Sequence, residues 1–429
     1  MIFFKVSQNI NIKIADNSLV VLTKELKNSD IEEYIYVTTY DDFEGVKDIF
    51  TKVGTNYKTL IVDENKVTSK KEFPQEIGVS NKNEFLQQRQ KLKQTSFLNN
   101  IQEFNTKDLF KNEDFCDTLS LIKSPKKEIS IAIIGGIGRN IGEILCGLSA
   151  IRIFYKSLQN RYKDVKIDLL LESANNQYYK RDKELIEQES FINKVLPLSV
   201  SVKKLFDYDY YIDTSKIYET HFFNFLPFID AYLYKFGIDP NLIPAEKKYN
   251  QFDFGKYTPS AELKNEIDNL KAKSKLILFH PYSPNIDRSL PKDIAVNLLK
   301  NLVILSDEIV ISALKIDKFE NDKFFDLSKY SKSLFDFIYI ISQSDYIITV
   351  DTATYHISDI FLIPTVVIFN DEELVEKRIK YYHSIKPYII KEKKKNLSLL
   401  KFENETLTIN KYTKYQTIKL KKILKLLKD

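Results

Sequence analysis

One short segment combines an aspartate, two threonines and a histidine at close spacing. It reads Val350-Asp-Thr-Ala-Thr-Tyr-His, and Asp351 stands where an apolar strand would end. His356 lies one helical turn beyond Thr352, so both would face the same direction on a helix. Thr352 and Thr354 could cap that helix, and Asp351 could itself be only a cap. An aspartate at a strand end with a histidine one helical turn later is a more specific pattern than helix capping requires. The pattern therefore predicts a polar ligand site.

A glycine-rich loop is the second candidate. Five of the ten glycines fall between positions 135 and 147, in and just after Ile134-Gly-Gly-Ile-Gly-Arg-Asn-Ile-Gly-Glu-Ile. Such clustering marks backbone that turns tightly or approaches a ligand, and the amides of a helix N-terminus favour an anion. Glu143 lies in the first helical turn, where the helix dipole favours its ionised form. It is either an ordinary N-terminal charge or a carboxylate base.

The third candidate is a polar segment between an apolar run and a helix. It reads His280-Pro-Tyr-Ser-Pro-Asn-Ile-Asp-Arg-Ser-Leu-Pro-Lys, and Pro291 is suited to open the helix. Arginine offers a planar fork of donors to phosphate oxygens, and lysine offers a point charge. The alternative is an ordinary solvated loop. The side chains that could meet a phosphate are Ser283, Asn285, Arg288 and Lys292.

Apolar runs and helical periodicity place these segments in two alternating α/β series. The first has strands over 129–134, 165–171 and 210–213, with a helix after the glycine loop. The second has strands over 276–280, 309–312, 346–350 and 365–369 and helices over 292–305, 334–342 and 352–361. The sequence therefore predicts the α/β class, with two Rossmann-like doubly wound domains facing a cleft. In such sheets the ligand lies beyond the carboxyl ends of the strands.

Three stretches together resemble the heptosyltransferase family, the ADP-heptose-dependent glycosyltransferases of family 9 and the GT-B type. The first is 131–152, and the second is 279–283 with Arg288 and Pro291. The third, 341–365, is the most specific, because the strand before it and the Ile-Pro before the next strand also fit the family's Asp-Thr-Gly-x-x-His segment. A weaker fourth match covers 206–213, and the resemblance extends over about 129–390.

The resemblance implies an enzyme, a metal-independent inverting glycosyltransferase of cell-surface polysaccharide or lipopolysaccharide synthesis. It would move a sugar from a nucleotide-diphospho donor, such as ADP-heptose, to a glycan or lipid-linked saccharide, with no other cofactor. The family's catalytic aspartate corresponds to Glu143, which is one methylene longer. The acceptor-side loop would be Gly136, Gly138, Arg139, Asn140 and Gly142. The donor-binding residues would be Ser283, Arg288, Lys292, Asp351, Thr352, Ala353 and His356.

With this resemblance, the chain divides into four predicted segments. Residues 1–125 are an α+β extension of unknown role, which includes a polar helical stretch over 83–104. Residues 126–255 form the acceptor domain and 256–395 the donor domain. Residues 396–429 form a basic amphipathic tail.

Three departures from the family keep other functions open, and Glu143 in place of the catalytic aspartate is the first. Ala353 stands for the glycine of Asp-Thr-Gly, and Tyr282 stands for the glycine after His-Pro. A different donor sugar, or a degenerate glycosyltransferase fold acting as a binding subunit, would fit them. The other alternative is an NAD-dependent oxidoreductase with Glu172 as the ribose partner. Its G-x-G-x-x-G pattern fails, because Ile141 occupies the last position.

Composition and charge exclude several classes. The net charge of +5 is modest for 429 residues and argues against a nucleic-acid-coating protein. Two cysteines and four widely spaced histidines offer neither a disulfide framework nor a metal motif. The apolar start is too short for a signal peptide. The sequence predicts a cytoplasmic protein without a metal site.

The C-terminal tail is a candidate contact surface. Leu420, Ile423, Leu424 and Leu427 recur at helical spacing among lysines, which predicts a basic amphipathic helix. The helix either packs on the domains with a solvated lysine face or contacts the anionic inner face of the membrane. The lysines are Lys411, Lys414, Lys419, Lys421, Lys422, Lys425 and Lys428.

Overall fold

The computed structural model divides the chain into two compact units, Met1–Lys248 and Tyr249–Asp429. The predicted helical stretch at 83–104 lies outside the described residues. The structure describes residues 2–6, 10–13, 19–22, 35–38, 43, 57–61, 68–69, 119, 122–173, 176–198, 200–201, 207–215, 217–285, 288–316, 319–370, 372–390, 400–403, 406–409, 415 and 417–428.

Two small antiparallel arrangements come first in the first unit. The strands are β1 (Ile2–Val6), β2 (Ile10–Lys13), β3 (Leu19–Leu22), β4 (Ile35–Thr38), β5 (Tyr57–Ile61) and β6 (Thr68–Ser69). β2 and β3 form a two-stranded sheet, and β4, β1 and β5 lie side by side in a second sheet.

The main sheet of the first unit is parallel apart from one edge. Its strands are β7 (Glu128–Ile134), β8 (Asp164–Leu171), β9 (Lys194–Pro197) and β11 (Tyr210–Asp213), while β10 (Val200–Ser201) pairs with β4. The order is β6-β11-β7-β8-β9, and β6 is antiparallel to β11. Two strands from the first 125 residues thus pair with strands of the later series. The carboxyl ends of β7, β8 and β11 lie at one edge, where the glycine loop begins.

Helices cover this sheet. They are α1 (Ile141–Gln159), α2 (Tyr179–Ile186), α3 (His221–Phe225) and α4 (Phe228–Lys235). α1 is buried on most of its surface, since it packs against α4 as well as the sheet. The rings of Phe154 and Phe236 stack with their centroids 5.0 Å apart. This packing fixes the direction in which the first turn of α1 presents its side chains.

The second unit contains one six-stranded, fully parallel sheet. Its strands are β12 (Leu276–His280), β13 (Ile309–Ser312), β14 (Phe324–Asp326), β15 (Tyr346–Val350), β16 (Thr365–Phe369) and β17 (Ile385–Ile389), in the order β14-β13-β12-β15-β16-β17. The helices are α5 (Ala261–Lys271), α6 (Lys292–Leu305), α7 (Leu334–Ser342), α8 (Ala353–Ile360) and α9 (Glu373–Ile379). His280 pairs with Thr349, so the loops after β12 and β15 leave the sheet side by side.

The C-terminal helix belongs to the core of the second unit. After the hairpin of β18 (Leu400–Glu403) and β19 (Thr406–Ile409), α10 runs over Leu420–Lys428. Leu420, Ile423 and Leu427 are buried in the cluster that includes Ile277 and Leu299. Lys428 Nζ lies 2.8 Å from Glu308 Oε1. The apolar face of α10 is therefore used in packing, while the lysines of α10 stay exposed.

The predicted α/β class is confirmed, with two parallel sheets flanked by helices. Most strands and helices predicted in the two series occur at the predicted positions, because buried parallel strands read as short continuous apolar runs. The four segment boundaries stay predictions, as does the cleft. Among the helices that the structure describes, none is long and apolar enough to cross a membrane.

Candidate functional site

Asp351 lies at the carboxyl end of β15 and holds a buried polar cluster together. Its Oδ1 accepts a hydrogen bond of 3.0 Å from the hydroxyl of Tyr355. Its Oδ2 lies 3.5 Å from Nη1 of Arg288 and 3.2 Å from Nε of Arg378. The Asp351 side chain is 2% exposed, whereas those of Arg288 and Arg378 are 26% and 13% exposed. Two guanidinium groups around one carboxylate leave one positive charge in excess.

The loop after β12 brings Arg288 to this cluster. Ser289 Oγ donates to the carbonyl of Ser283 and accepts from its amide, at 2.9 and 2.8 Å. The amide of Leu290 donates to the carbonyl of Pro281 at 2.9 Å, which closes the loop before α6. Because β12 and β15 are neighbours, the closed loop delivers Arg288 to the end of β15. Arg288 and Asp351, both named as donor-binding residues by the resemblance, thus lie side by side.

Arg378 is a member of the cluster that the sequence does not reveal. It lies on α9, beyond the third motif stretch at 341–365, and no spacing pattern marks it. Burial raises the pKa of the Tyr355 hydroxyl well above its ordinary value, and the charge of Asp351 adds to this effect. The guanidinium of Arg378 acts in the opposite direction on the same hydroxyl, in part through a hydrogen bond. Arg378 therefore contacts both Asp351 and Tyr355, the residue that donates to Asp351.

His356 occupies a buried position on α8, beside the same arginines. Its Nδ1 shares a hydrogen bond with the hydroxyl of Tyr382, and that hydroxyl accepts a bond of 2.6 Å from Nδ2 of Asn250. Burial holds the pKa of His356 well below its ordinary value, and the positive charges of Arg378 and Arg288 lower it further. His356 is therefore a neutral imidazole at neutral pH.

The segment that carries Tyr382 is anchored to the same helix. Oδ1 of Asp359 accepts bonds from the amides of His383 and Ser384, at 3.0 and 3.2 Å, and from the Ser384 hydroxyl at 3.0 Å. Asp359 follows His356 by three residues, so both lie on one face of α8. The bonds of Asp359 therefore hold the turn after α9, which carries Tyr382, against α8.

Two further polar atoms lie buried in the segments that form this edge of the sheet. Nδ1 of His280 and Oγ1 of Thr354 have no hydrogen-bond partner. His280 is the last residue of β12, and Thr354 lies in the first turn of α8. Burial lowers the pKa of His280 to about 4. Unpaired polar atoms in the interior are uncommon and are often sites where a ligand or water binds.

The other predicted donor-binding residues lie in the loop after β12 and at the starts of α6 and α8. Lys292 is the exposed first residue of α6, and Ser283 is used in its own loop. Ala353 begins α8. Thr352 occupies the N-cap position but makes no side-chain capping bond, and the Oγ1 of Thr354 has no partner, so neither hydroxyl caps the helix, although the sequence would allow it. Asp351 is bonded to side chains of the cluster and not to the helix amides.

Glu143 lies in the first turn of α1 in the other unit. Its amide donates to Oδ1 of Asn140 at 3.1 Å, and its Oε2 accepts the amide of Arg139 at 3.0 Å. The carboxylate thus takes part in closing the start of the helix, as an ordinary N-terminal charge would. A carboxylate held by backbone is also well oriented to accept a proton.

Tyr218, which no sequence motif marks, lies beside Glu143. The guanidinium carbon of Arg139 is 4.6 Å from the centre of its ring, and its hydroxyl is 3.2 Å from that of Tyr232. Burial raises the pKa of Tyr218 well above its ordinary value, and the charge of Glu143 raises it further. Tyr218 therefore stays protonated as a hydrogen-bonding neighbour of the carboxylate.

The glycines of the loop have specific packing roles. A Cβ atom on Gly138 would lie 2.3 Å from the amide nitrogen of Ile144, and one on Gly147 would lie 2.4 Å from the carbonyl of Ile137. Gly135 has φ of +102°, the left-handed region that favours glycine. On Gly136 the nearest atom to a Cβ would be 3.6 Å away. Close packing of the loop against α1 thus explains most of this cluster, while Gly136 has room.

Within the described residues, no group of three or more His, Cys, Asp or Glu side chains could hold a metal ion. No protein-family model matches the chain, and no curated protein matches it.

Solved structures of similar fold include E. coli ADP-heptose LPS heptosyltransferase II, at 13% identity and a TM-score of 0.45, with 70% of this chain and 98% of that chain covered. A family 9 glycosyl transferase from Veillonella parvula has 9% identity and a TM-score of 0.41, with coverage of 61% and 86%. E. coli heptosyltransferase WaaC with ADP-2-deoxy-2-fluoro heptose has 10% identity and a TM-score of 0.37, with coverage of 61% and 93%. These belong to the family that the sequence motifs resemble.

Proposed function

We propose that the chain is a glycosyltransferase whose second unit binds the diphosphate of a nucleotide sugar. The observation that carries this proposal is the pair of arginines, Arg288 and Arg378, around the buried Asp351. One positive charge remains in excess at the carboxyl edge of a parallel sheet, where such folds bind their ligands. Arginine is suited to the task because its planar fork matches phosphate oxygens.

In this proposal the reaction is an inverting displacement at the anomeric carbon. The hydroxyl oxygen of the acceptor attacks, a new glycosidic bond forms, and the bond to the diphosphate breaks. Glu143 accepts the proton of the hydroxyl as general base. The arginines stabilise the negative charge that grows on the departing diphosphate, a role that many transferases give to a metal ion.

The donor and acceptor follow from the motif resemblance. ADP-heptose is the first donor to test, and a glycan or lipid-linked saccharide of the cell surface is the acceptor class. Ala353 in place of glycine brings a methyl group to the start of α8, so a donor of somewhat different shape also fits the proposal. Metal independence is part of the proposal, and full transfer activity in a chelator would support it.

The proposal also includes a partner, an anionic membrane surface, which the exposed lysines of α10 would contact. Lys421, Lys422 and Lys425 are exposed, whereas Leu420, Ile423 and Leu427 are buried and Leu424 and Leu426 are partly buried. A contact with an anionic membrane would therefore use the lysine face without insertion of the apolar face. Such a contact would bring the enzyme to a lipid-linked acceptor.

A thermal-shift screen with ADP-, UDP-, GDP- and CMP-sugars and with NAD tests the proposed ligand class. A ligand present at 100 times its Kd stabilises the folded state by about 2.7 kcal/mol. We expect one nucleotide series to raise the melting temperature, and the matching free diphosphate to do so as well. Stabilisation by NAD alone would favour the oxidoreductase, and no shift with any nucleotide would contradict the proposal.

A matched charge variant makes the screen specific to the site. Lys380 follows α9, is exposed, and lies 3.4 Å from Glu376. Lys380→Met removes one positive charge near Arg378 without touching Asp351. We expect this variant to respond to the nucleotide as the wild type does, whereas Arg378→Met responds at much higher concentration.

A further inference from the structure

Tyr218 connects two polar groups of the first unit, the hydroxyl of Tyr232 and the carboxylate of Glu143. The hydroxyl oxygens of Tyr218 and Tyr232 are 3.2 Å apart, and the Tyr218 hydroxyl is also hydrogen-bonded to the Glu143 side chain. A second bond to the carboxylate comes from the main chain, since Oε2 accepts the amide of Arg139 at 3.0 Å. Glu143 is therefore held from two directions, by the backbone of its own loop and by a phenol from another element.

The order of the strands brings Tyr218 to the start of α1. β11 lies beside β7 and parallel to it, so the chain leaves both strands at the same edge of the sheet. The hydroxyl of Thr214 donates to the carbonyl of Gly136 at 2.6 Å, which ties the segment after β11 to the glycine loop. The short 3-10 helix Ile217–Glu219 follows and carries Tyr218. The approach of Tyr218 to the first turn of α1 is thus built into the fold.

Aromatic and cationic neighbours hold the ring of Tyr218 in place. The ring of Phe223 meets it edge to face, with centroids 4.8 Å apart and an interplanar angle of 78°. The guanidinium carbon of Arg139 lies 4.6 Å from the centre of the Tyr218 ring, where a cation is attracted to the ring face. Phe223 in turn stacks on Phe228 and meets Tyr232 edge to face. Packing therefore sets the position of the Tyr218 hydroxyl without any ligand.

The direction of the bonds follows from the chemistry of the three groups. An ionised carboxylate only accepts hydrogen bonds, so the proton of the Tyr218 hydroxyl is directed to Glu143. A phenol has a single proton, so the Tyr218 oxygen accepts from Tyr232. Burial raises the pKa of both phenols well above the ordinary value, and the charge of Glu143 adds to this effect. Both hydroxyls therefore stay protonated and act as donors in a chain that ends on the carboxylate.

We propose that Tyr218 is a positioning residue for the general base: its hydroxyl, with Tyr232 behind it, keeps the Glu143 carboxylate ionised and in one orientation. This role in catalysis rests on the proposed function, whereas the bond from Tyr218 to the carboxylate does not. A donor to the charged form of a carboxylate favours that form, so Glu143 would accept protons from an acceptor hydroxyl over a wider pH range. The glutamate side chain is flexible on its own, and a fixed donor limits the orientations that it can adopt.

Tyr218→Phe is the variant that isolates this bond. In the described part of the chain, the charged and titratable groups that interact with the two hydroxyls, besides Glu143, are Arg139 of the glycine loop and Cys146 of α1. The variant leaves these groups in place and keeps the ring with its contacts to Phe223 and Arg139. A change in the behaviour of Glu143 therefore reports the loss of one hydroxyl.

Carboxyl-carbon NMR of the full chain labelled at glutamate reads the bond without any substrate. Glu143→Gln assigns the signal of Glu143. We expect the pH at which this signal titrates to rise by about one to two units in Tyr218→Phe, as the loss of a hydrogen bond to a charged group would cause. Tyr232→Phe should give a smaller rise, because it removes only the donor behind Tyr218.

Tyr155→Phe is the matched control for this titration. It removes a phenol hydroxyl from the same helix, about 18 Å along α1 from Glu143. This variant should titrate as the wild type does. An equal midpoint for the Glu143 signal in Tyr218→Phe and in the wild type would overturn the inference.

The pH dependence of sugar transfer separates this inference from the proposed function. With the donor that the nucleotide screen selects, the acid limb of kcat should move to higher pH in Tyr218→Phe by the same amount as the NMR midpoint. The KM for the donor should not change, and Tyr155→Phe should keep the wild-type profile. If the wild type transfers no sugar, the proposed function fails, while the NMR result still decides whether Tyr218 holds the carboxylate.

A merely structural role of Tyr218 predicts a different profile. Tyr218→Phe would then lower turnover equally at every pH and leave the acid limb where it is in the wild type. That result would show that Tyr218 does not position the base, while the proposed function would stand.

Discussion

Nε of Arg378 lies 3.2 Å from Oδ2 of Asp351, although the two residues belong to different elements of the second unit. With Arg288 on the same oxygen, the aspartate is surrounded by positive charge. Its role in the account is to hold two arginines in place for an anionic ligand.

Glu143 is the general base of the proposed mechanism, and Glu143→Gln tests this role. The amide oxygen of glutamine can still accept the amide hydrogen of Arg139, so the start of α1 should remain intact. Turnover should fall by about 10²–10⁴-fold, the usual contribution of a general base, while nucleotide affinity stays the same. Glu184→Gln, an exposed change in the same unit, is the control. Unchanged turnover in Glu143→Gln would remove this residue from the mechanism.

The glycine loop gives a stability prediction with its own internal control. Gly138→Ala places a methyl group 2.3 Å from a backbone nitrogen, and should destabilise the protein by about 1–3 kcal/mol, as overpacking does. Gly136→Ala meets its nearest atom at 3.6 Å and should change stability by less than about 1 kcal/mol. Denaturant unfolding of both variants measures the difference. Equal effects would show that the loop does not pack on α1 as described.

Acid should destabilise the protein through its buried histidines. Because the pKa of His280 is lowered to about 4, the unfolded chain takes up a proton between pH 6.5 and 4 and the folded chain does not. The free energy of unfolding should therefore fall by about 3 kcal/mol over this range from His280 alone. Above pH 6.5 both states are neutral and the effect vanishes.

Unfolding of His280→Gln at several pH values checks this slope. The variant should lose less stability between pH 6.5 and 4 than the wild type. His383→Gln, at an exposed position, should keep the wild-type pH dependence. A wild-type slope in His280→Gln would mean that other groups cause the acid sensitivity.

The membrane contact is tested with the lysines of α10 and without removing the helix. Deletion of the tail would expose the core beneath Ile423 and confuse the result. Triple replacement of Lys421, Lys422 and Lys425 by serine should reduce binding to anionic vesicles by about tenfold or more. The same change at the exposed Lys264, Lys271 and Lys273 is the control. Equal vesicle binding by both triple variants would contradict a role for this face.

The parts of the fold and of the candidate site that depend on local sequence pattern could be predicted from the sequence. Asp351 follows a strand, and His356 lies close to it in sequence. Arg288 comes within reach of Asp351 because β12 and β15 are neighbouring strands. Arg378, Tyr382 and Asn250 could not be predicted, because only the packing of α9 and of the chain after Lys248 brings them to the site. The contact between Tyr218 and Glu143 also depends on packing between residues that are far apart in sequence. Long-range contacts of this kind leave no periodic or spacing signal.

The most direct test of the central claim is calorimetric titration of ADP, or of the nucleotide that the screen selects. The double variant Arg288→Met/Arg378→Met loses two charge-assisted contacts, each about 1.5–3 kcal/mol, so its affinity should fall at least about 100-fold. Lys380→Met should bind as the wild type does. Retained affinity in the double variant, or no binding of any nucleotide by the wild type, would contradict the account.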